Sequence, residues 1–210
     1  MKAASMKAAS MKAASMKAAS LTSADPLRIE TWTTGDPVGV KNDLEMLGQV
    51  LHACVHAGAS VSFVLPFLHD EAIAFWNDQV LPAVTAGSRC VLLARAAGRI
   101  VGTVQLDLAT PPNQPHRADV KKLLVDPDVR RRGIARALME AVEAEARRAC
   151  RTLLTLDTVT GGPAESLYLS LGYLRVGVIP GYAFNFNSSV IESTTILYKN
   201  VTATHVNNLV

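Results

Sequence analysis

The sequence predicts a single α/β (α+β) domain, a mixed β-sheet with helices on both faces. Three observations lead there. The 210 residues are 49% hydrophobic and 19% charged, which suits one buried core of ordinary size. Residues 90–109 read as two apolar strands around a tight Ala97-Gly98 turn, a hairpin and so antiparallel. A strand, a helix and a strand then follow one another between 118 and 158, the arrangement of a parallel crossover.

The elements follow in order. Residues 1–26 are expected to be disordered: Met1 to Ser20 is MKAAS written four times, and a period of five builds neither a helical nor a strand face. The repeat reads as a duplicated leader. It also reads as a transit peptide, being basic, rich in Ala and Ser and free of acid, though it lacks arginine and an amphipathic stripe. The folded domain is expected over 27–200, with a tail over 201–210. Leu44, Leu47, Leu51, Cys54 and Val55 recur at helical spacing before Gly58, predicting a helix over 43–55. Asp70 is the expected N-cap of a second helix carrying Ile73, Phe75, Trp76, Val80 and Val84, which Pro82 should kink or shorten. After the hairpin and a loop at 111–116, a strand is expected over 118–125, ending at Asp126-Pro127. A helix over 134–150 places Ile134, Ala135, Leu138, Met139 and Val142 on one face and a Glu143–Arg147 pair on the other. A strand over 153–158, a helix over 164–170 and strands over 174–178 and 194–199 complete the chain.

Charge and cysteine usage exclude some functions. The net charge of +3 comes from 21 basic and 18 acidic residues. The repeat alone holds four lysines; without it the balance is −1, and nothing calls for nucleic acid. No apolar run approaches the roughly 18 residues of a membrane span. Cys54, Cys90 and Cys150 are scattered, as expected of reduced thiols in a cytoplasmic protein. His52 and His56 have a metal-compatible spacing, but nothing nearby completes a ligand set, so no metal is expected.

Chemistry concentrates in KLLVDPDVRRRGIARALMEAVEAEA, residues 122–146. A strand runs through a short turn into Arg130-Arg131-Arg132-Gly133-Ile134-Ala135 and then into an amphipathic helix. Gly133 and Ala135 allow close backbone approach, and the helix start offers unpaired N–H groups. Such a turn suits phosphate, with arginines adding charge. The spacing is neither a P-loop nor a dinucleotide fingerprint.

This R-x-x-G-x-A segment after V-D-P resembles the acetyl-CoA pyrophosphate loop of the GCN5-related N-acetyltransferase (GNAT) family. Ala164-x-x-x-Tyr168-x-x-x-Gly172-Tyr173 resembles the later tyrosine element of the same family. HAGASVSF (56–63), NQPHRADVKKLLV (113–125), LLTLDT (153–158) and RVGVIPGYA (175–183) are similar to a branch that includes the tabtoxin-resistance acetyltransferase. The resemblance spans about Leu27 to Lys199. It implies a sheet of about six to seven strands, with strands 4 and 5 splayed around the pantetheine arm of acetyl-CoA. It also implies a cosubstrate site of Leu123, Leu124, Val125, Arg130, Arg131, Arg132, Gly133, Ile134, Ala135, Arg136 and Tyr168. In that site the backbone of Leu123 and Val125 pairs with pantetheine, and an N–H near Leu124 or Val125 serves as oxyanion donor. Strand alternation puts Asp119, Leu123 and Val125 on one face, unless a bulge near Lys121-Lys122 resets it.

Tyr168 matches the family's sulfur-facing general acid. Asp157 and Asp119, on the two splayed strands, are candidates for a water-mediated base or an ammonium anchor. An aspartate inside a strand also fits a buried hydrogen bond or, for Asp119, a salt bridge to Arg117 or Lys121. Phe63, Asp157 and Tyr182 are candidates for the acceptor pocket. Two departures from the family pattern are Gly161, where many relatives carry asparagine, and residues 183–191, which replace an expected Pro-Asp-Gly turn. The resemblance implies direct transfer from acetyl-CoA to a primary amine of a small molecule, a toxin or antibiotic amine by analogy, in a monomer or a homodimer. Two alternatives are acetylation of a protein N-terminus or lysine, and a CoA-binding module without turnover.

Overall fold

The computed structural model describes residues 26–185 and 189–202. The MKAAS repeat, its expected disorder and the tail from 203 lie outside the described residues. Seven strands form one sheet in the order β1-β2-β3-β4-β5-β7-β6. They are β1 (Arg28–Thr31), β2 (Arg89–Ala96), β3 (Arg99–Asp107), β4 (Arg117–Val125), β5 (Leu153–Val159), β6 (Leu174–Asn185) and β7 (Val190–Asn200). β4 and β5 run parallel and every other neighbouring pair antiparallel. This is the mixed α/β sheet of the expectation, and the two last strands are longer than their apolar cores suggested.

The first helix, α1 (Pro37–His56), starts six residues earlier than its apolar spacing implied. Asp36 caps it, its carboxylate accepting from Val38 N and Gly39 N at 3.1 Å each, and Pro37 fits the first turn. The short edge strand β1 was not foreseen. It pairs with β2, and Arg95 ties the two to α1 by ion pairs with Glu30 and Asp43. The second helix is capped two residues earlier than expected. The Leu68 N–H donates to the Glu71 carboxylate at 2.6 Å, and Asp70 lies inside the first turn. From α2 (His69–Ala74) the chain widens into a π segment over Phe75–Val80, then continues as α3 (Leu81–Thr85). Pro82 has no N–H and its ring crowds the preceding turn, so the ladder changes register just ahead of it.

The hairpin is as expected: Ala97 and Gly98 take φ of 49° and 72°, the two left-handed positions of a primed turn. α4 (Ile134–Arg148) and α5 (Pro163–Ser170) cover one face of the sheet, packing Leu138, Met139, Val142 and Tyr168 against Val104, Leu154 and Leu197. α1, α2 and the π segment cover the other, with Leu47, Leu51 and Trp76 against Val91, Leu93 and Leu124. One helical face differs from expectation. Glu143 is buried, and both its oxygens lie 2.7 Å from Lys199 Nζ of β7, with Arg147 at 3.7 Å. Its i,i+4 partner is thus the lesser of two, because β7 brings a closer cation. Val201 is still packed, its amide donating to Thr152 O.

Candidate active site

Parallel pairing between β4 and β5 is confined to Arg117–Asp119 against Leu153–Thr155. Beyond Asp119, β4 follows β3 up to Val125, whereas β5 follows β7 through Val159. The two strands therefore part, and the facing edges open a gap. A bulge at Lys122, with φ of 52°, shifts the β3–β4 register between Gln105↔Lys121 and Thr103↔Leu124. Of the two patterns the sequence left open, straight and reset alternation, the bulge produces the second. Leu123 and Val125 now pack on the α4 side with Ala118 and Val120, while Leu124 joins the α1 side. A straight alternation would have kept them on Asp119's face; the extra residue moves them off it.

The backbone of β4 is also sorted by this register. The Asp126 N–H donates to Val101 O at 2.9 Å, so alternation turns the Leu124 amide toward β3 and those of Leu123 and Val125 toward the gap. The Val125 carbonyl accepts from Arg130 Nε at 3.2 Å and from the Cys54 thiol at 3.3 Å. Arg130 thereby links the turn to the strand end. Arg131 and Gly133 take φ of 65° and 80°, and Gly133 opens α4. No atom lies within 4 Å of where a Gly133 Cβ would stand. Arg130, Arg131, Arg132 and Arg136 are exposed around this opening, Ile134 is buried and Ala135 half-buried. Open space, a left-handed glycine and first-turn N–H groups make this a cradle that fits a pyrophosphate. Arg136 donates to Ser170 Oγ at 2.7 Å, tying α4 to α5.

Tyr168 is 6% exposed, on α5. Burial, and then the Asp157 charge, push its phenol well above the ordinary value. It is a neutral donor across the whole working pH range. Asp157 is exposed on β5 and accepts from Thr194 Oγ1 at 3.1 Å. Asp119 is engaged differently: Arg117 and Thr155 both donate to one of its oxygens, and Arg117 also reaches Thr155 Oγ1 at 2.9 Å and Gln114 Oε1 at 2.7 Å. It clasps β4 to β5 at the last paired position. Gly161, at φ 75°, donates to Glu165 at 2.6 Å.

The other wall of the gap is built from distant segments. Phe63, in the loop after α1, packs against Phe67 and Phe75 with ring centroids 4.7 and 5.1 Å away. Lys122 Nζ stands 5.1 Å from the Phe63 centroid and 5.9 Å from that of Phe75, and donates to Val61 O. Burial holds its ammonium down at about 8, Lys121 adds to this, and Asp157 opposes it. Lys122 escaped sequence reasoning, although the Lys121-Lys122 pair marked the bulge that aims it. Phe63 and Phe184 of β6 line one depression with Val55, Ala59 and Leu65. Tyr182 is exposed on β6. The structure thus gathers Tyr168, Asp157, Lys122 and Phe63 about the gap, and sets Asp119 into its hinge. His52 and His56 stack with centroids 4.2 Å apart, His56 Nε2 lying 2.9 Å from Phe67 O. Among the described residues no group of three or more His, Cys, Asp or Glu is placed to hold a metal, and no helix is long and apolar enough to cross a membrane.

Comparison with known proteins converges on this geometry. The model of the acetyltransferase (GNAT) family matches residues 52–173. Among solved structures, a candidate acetyltransferase from Salmonella typhimurium with its cofactor acetyl-CoA is similar at 16% identity and a TM-score of 0.68, covering 88% of this chain and 99% of the other. A ribosomal-protein-alanine N-acetyltransferase from Brucella melitensis is similar at 19% and 0.68, covering 82% and 99%. A candidate phosphinothricin N-acetyltransferase is similar at 14% and 0.67, covering 84% and 99%. At such identities the likeness is one of fold. The family match covers more than half of the chain, and the chain belongs to the acetyltransferase (GNAT) family: it is an acetyl-CoA-dependent acetyltransferase.

Proposed function

We propose that the enzyme transfers the acetyl group directly to a primary amine of a small molecule, in a branch resembling the tabtoxin-resistance acetyltransferase, and works in the cytoplasm. The observation that carries this reading is the meeting of an acid and a phenol at the parted strands. Asp157 is exposed to an incoming ammonium, and Tyr168 is buried beside it with its proton held. Acetyl-CoA supplies the activated thioester. Arg130, Arg131, Arg132, Arg136 and the amides from Gly133 through Ala135 hold its pyrophosphate, and the edge of Leu123, Leu124 and Val125 receives pantetheine. The Val125 N–H, turned into the gap, faces the thioester oxygen. Asp157 orients the acceptor and takes its proton through water. As the nitrogen bonds to the acetyl carbon and the carbon–sulfur bond breaks, Tyr168 gives its proton to the departing sulfur. Asp119 keeps the two strands joined at the root of the gap.

Direct transfer is supported by the cysteines. Cys54 is the thiol nearest the β4 edge, yet it is 1% exposed, and burial pushes it upward in spite of Arg130. It is a poor nucleophile. A small acceptor is supported by the loop after α1, which Lys122 fastens to β4 through Val61 O and which meets the end of β6 at Phe184. The deciding experiment measures thiol release from acetyl-CoA over a panel of amines and N-terminal peptides, with Tyr168→Phe and Asp157→Asn beside the wild type. Turnover of a small amine, reduced in both variants while CoA binding persists, supports the reading. Turnover of peptides alone moves the substrate to protein, and CoA binding without any turnover indicates a binding module.

A further inference from the structure

Lys122 and Asp157 place opposite charges on the two parted strands, one on the β4 bulge and the other on β5. Neither has an ion-pair partner among the described residues. The neighbouring cations differ: Lys121 reaches Asp107 at 2.7 Å and Arg89 reaches it at 3.0 Å, so that both are paired with one buried acid. Lys122 instead donates to the Val61 carbonyl and lies over the faces of Phe63 and Phe75. An ammonium has three donors, and one carbonyl with two aromatic faces leaves it without a carboxylate in contact. Asp157 is the acid whose charge supports this ammonium, and one of its oxygens accepts from Thr194 Oγ1. A half-buried lysine on a bulge, aimed at the acceptor side and lacking a carboxylate, is an anion site in waiting.

Resting on the acetyltransferase reading above, we propose that the acceptor is a zwitterionic amino acid, its carboxylate bound by Lys122 and its ammonium directed to Asp157. The two charges straddle the gap in which the thioester is held, so the pair fixes which end of the acceptor faces the acetyl carbon. Phe63, which already flanks Lys122, offers an aromatic face to the acceptor's side chain. Lys122 acts as a specificity-determining residue and takes no part in proton transfer.

The test uses matched triplets. Leucine, methionine and phenylalanine are compared with their carboxamides and with their decarboxylated amines, by thiol release from acetyl-CoA, while CoA binding is followed separately by calorimetry. Wild-type enzyme is expected to favour at least one free amino acid over both analogues by about tenfold to a hundredfold in kcat/KM, the worth of one charge-assisted contact. Lys122→Met should bring that ratio near one through KM, with CoA binding retained. Lys122→Arg, which keeps the charge, should keep part of the preference and serves if Lys122→Met fails to fold. The proposal is overturned if a decarboxylated amine equals the amino acid, if both variants leave the ratio unchanged, or if amines and peptides without a carboxylate are the sole acceptors. Those outcomes leave the acetyltransferase reading standing. Loss of CoA binding by the wild type would overturn that reading instead.

Discussion

The two walls of the gap are made in different ways. The donor wall, from β4 through the Arg130–Ala135 turn into α4, is one continuous stretch of chain whose working parts are mostly backbone: the amides of Leu123 and Val125, the left-handed Gly133 and the first turn of a helix. The acceptor wall proposed above draws on Phe63, Lys122, Asp157 and Phe184, four side chains on four separate segments. A backbone site is tied to a local sequence pattern, because only a few residue types permit its φ values and close approach. A side-chain site has no such tie. A donor wall of this kind therefore places few demands on the side chains that face it.

The sharpest way to separate the walls is to remove chemistry without touching binding. Tyr168→Phe should lower kcat by about a hundredfold or more while leaving the affinity for CoA close to wild type, as loss of a general acid does. Stopped thiol release and calorimetry on the same sample check it. Because burial and Asp157 raise the phenol far above neutrality, the wild-type rate should show no loss from Tyr168 ionisation between pH 6 and 9. A descending limb that vanishes in Tyr168→Phe would contradict that. Asp157→Asn comes next. Its expected effect is about tenfold in kcat/KM, felt with the amine and not with acetyl-CoA.

Stability should distinguish the walls too. Glu143→Ala strands Lys199, whose ammonium then has only Leu171 O and the face of Tyr173. Breaking such a buried pair costs about 3 kcal/mol, to be read from urea denaturation. The pair joins α4 to β7, away from the Gly133 end of the helix, so CoA affinity should follow the fraction folded and nothing else. Gly102→Ala is a smaller test of the donor wall. A Cβ there would stand 2.9 Å from Leu124 O and 3.2 Å from Leu138, forcing β4 away from β3. The cost should be about 1–2 kcal/mol, accompanied by weaker CoA binding because the Val125 amide moves with the strand.

How much the sequence disclosed follows the same division. The hairpin turn, the strand ending at Asp126-Pro127 and the helix opening at Gly133 were all legible, since Gly, Pro and Asp declare their backbone conformations, whereas the sequence left a bulge at Lys121-Lys122 and a straight alternation both open. β1 was missed because four residues on an edge carry almost no periodicity, and the early start of α1 because the Asp36-Pro37 cap precedes the first buried leucine. Glu143 was assigned to solvent from its spacing alone; only the sheet order, which brings Lys199 beside α4, reveals its partner. Lys122 was invisible for a related reason. Adjacent lysines in a strand read as one buried and one exposed position, and nothing in sequence says that a bulge turns the second toward Phe63 and Phe75, 59 and 47 residues earlier in the chain.

The smallest effect tests the acceptor wall by pH. The Lys122 ammonium is held down at about 8 by burial, against 10.5 for the free side chain. Below pH 8 it is protonated both folded and unfolded, and the fold carries the cost of burying a charge. Between about 8 and 10.5 the unfolded chain binds more protons than the folded one, so this group makes stability rise with pH across that window. Lys122→Met removes the contribution. The variant should exceed the wild type by about 1–2 kcal/mol at pH 7, a figure reduced for the partial exposure of the side chain, and the difference should shrink as the pH approaches 10. Thermal melts of both proteins at pH 7 and 10 give the answer. A constant difference would mean that Lys122 is as well solvated as a surface lysine, and a variant less stable than wild type at pH 7 would mean that its bond to Val61 O outweighs the burial of its charge.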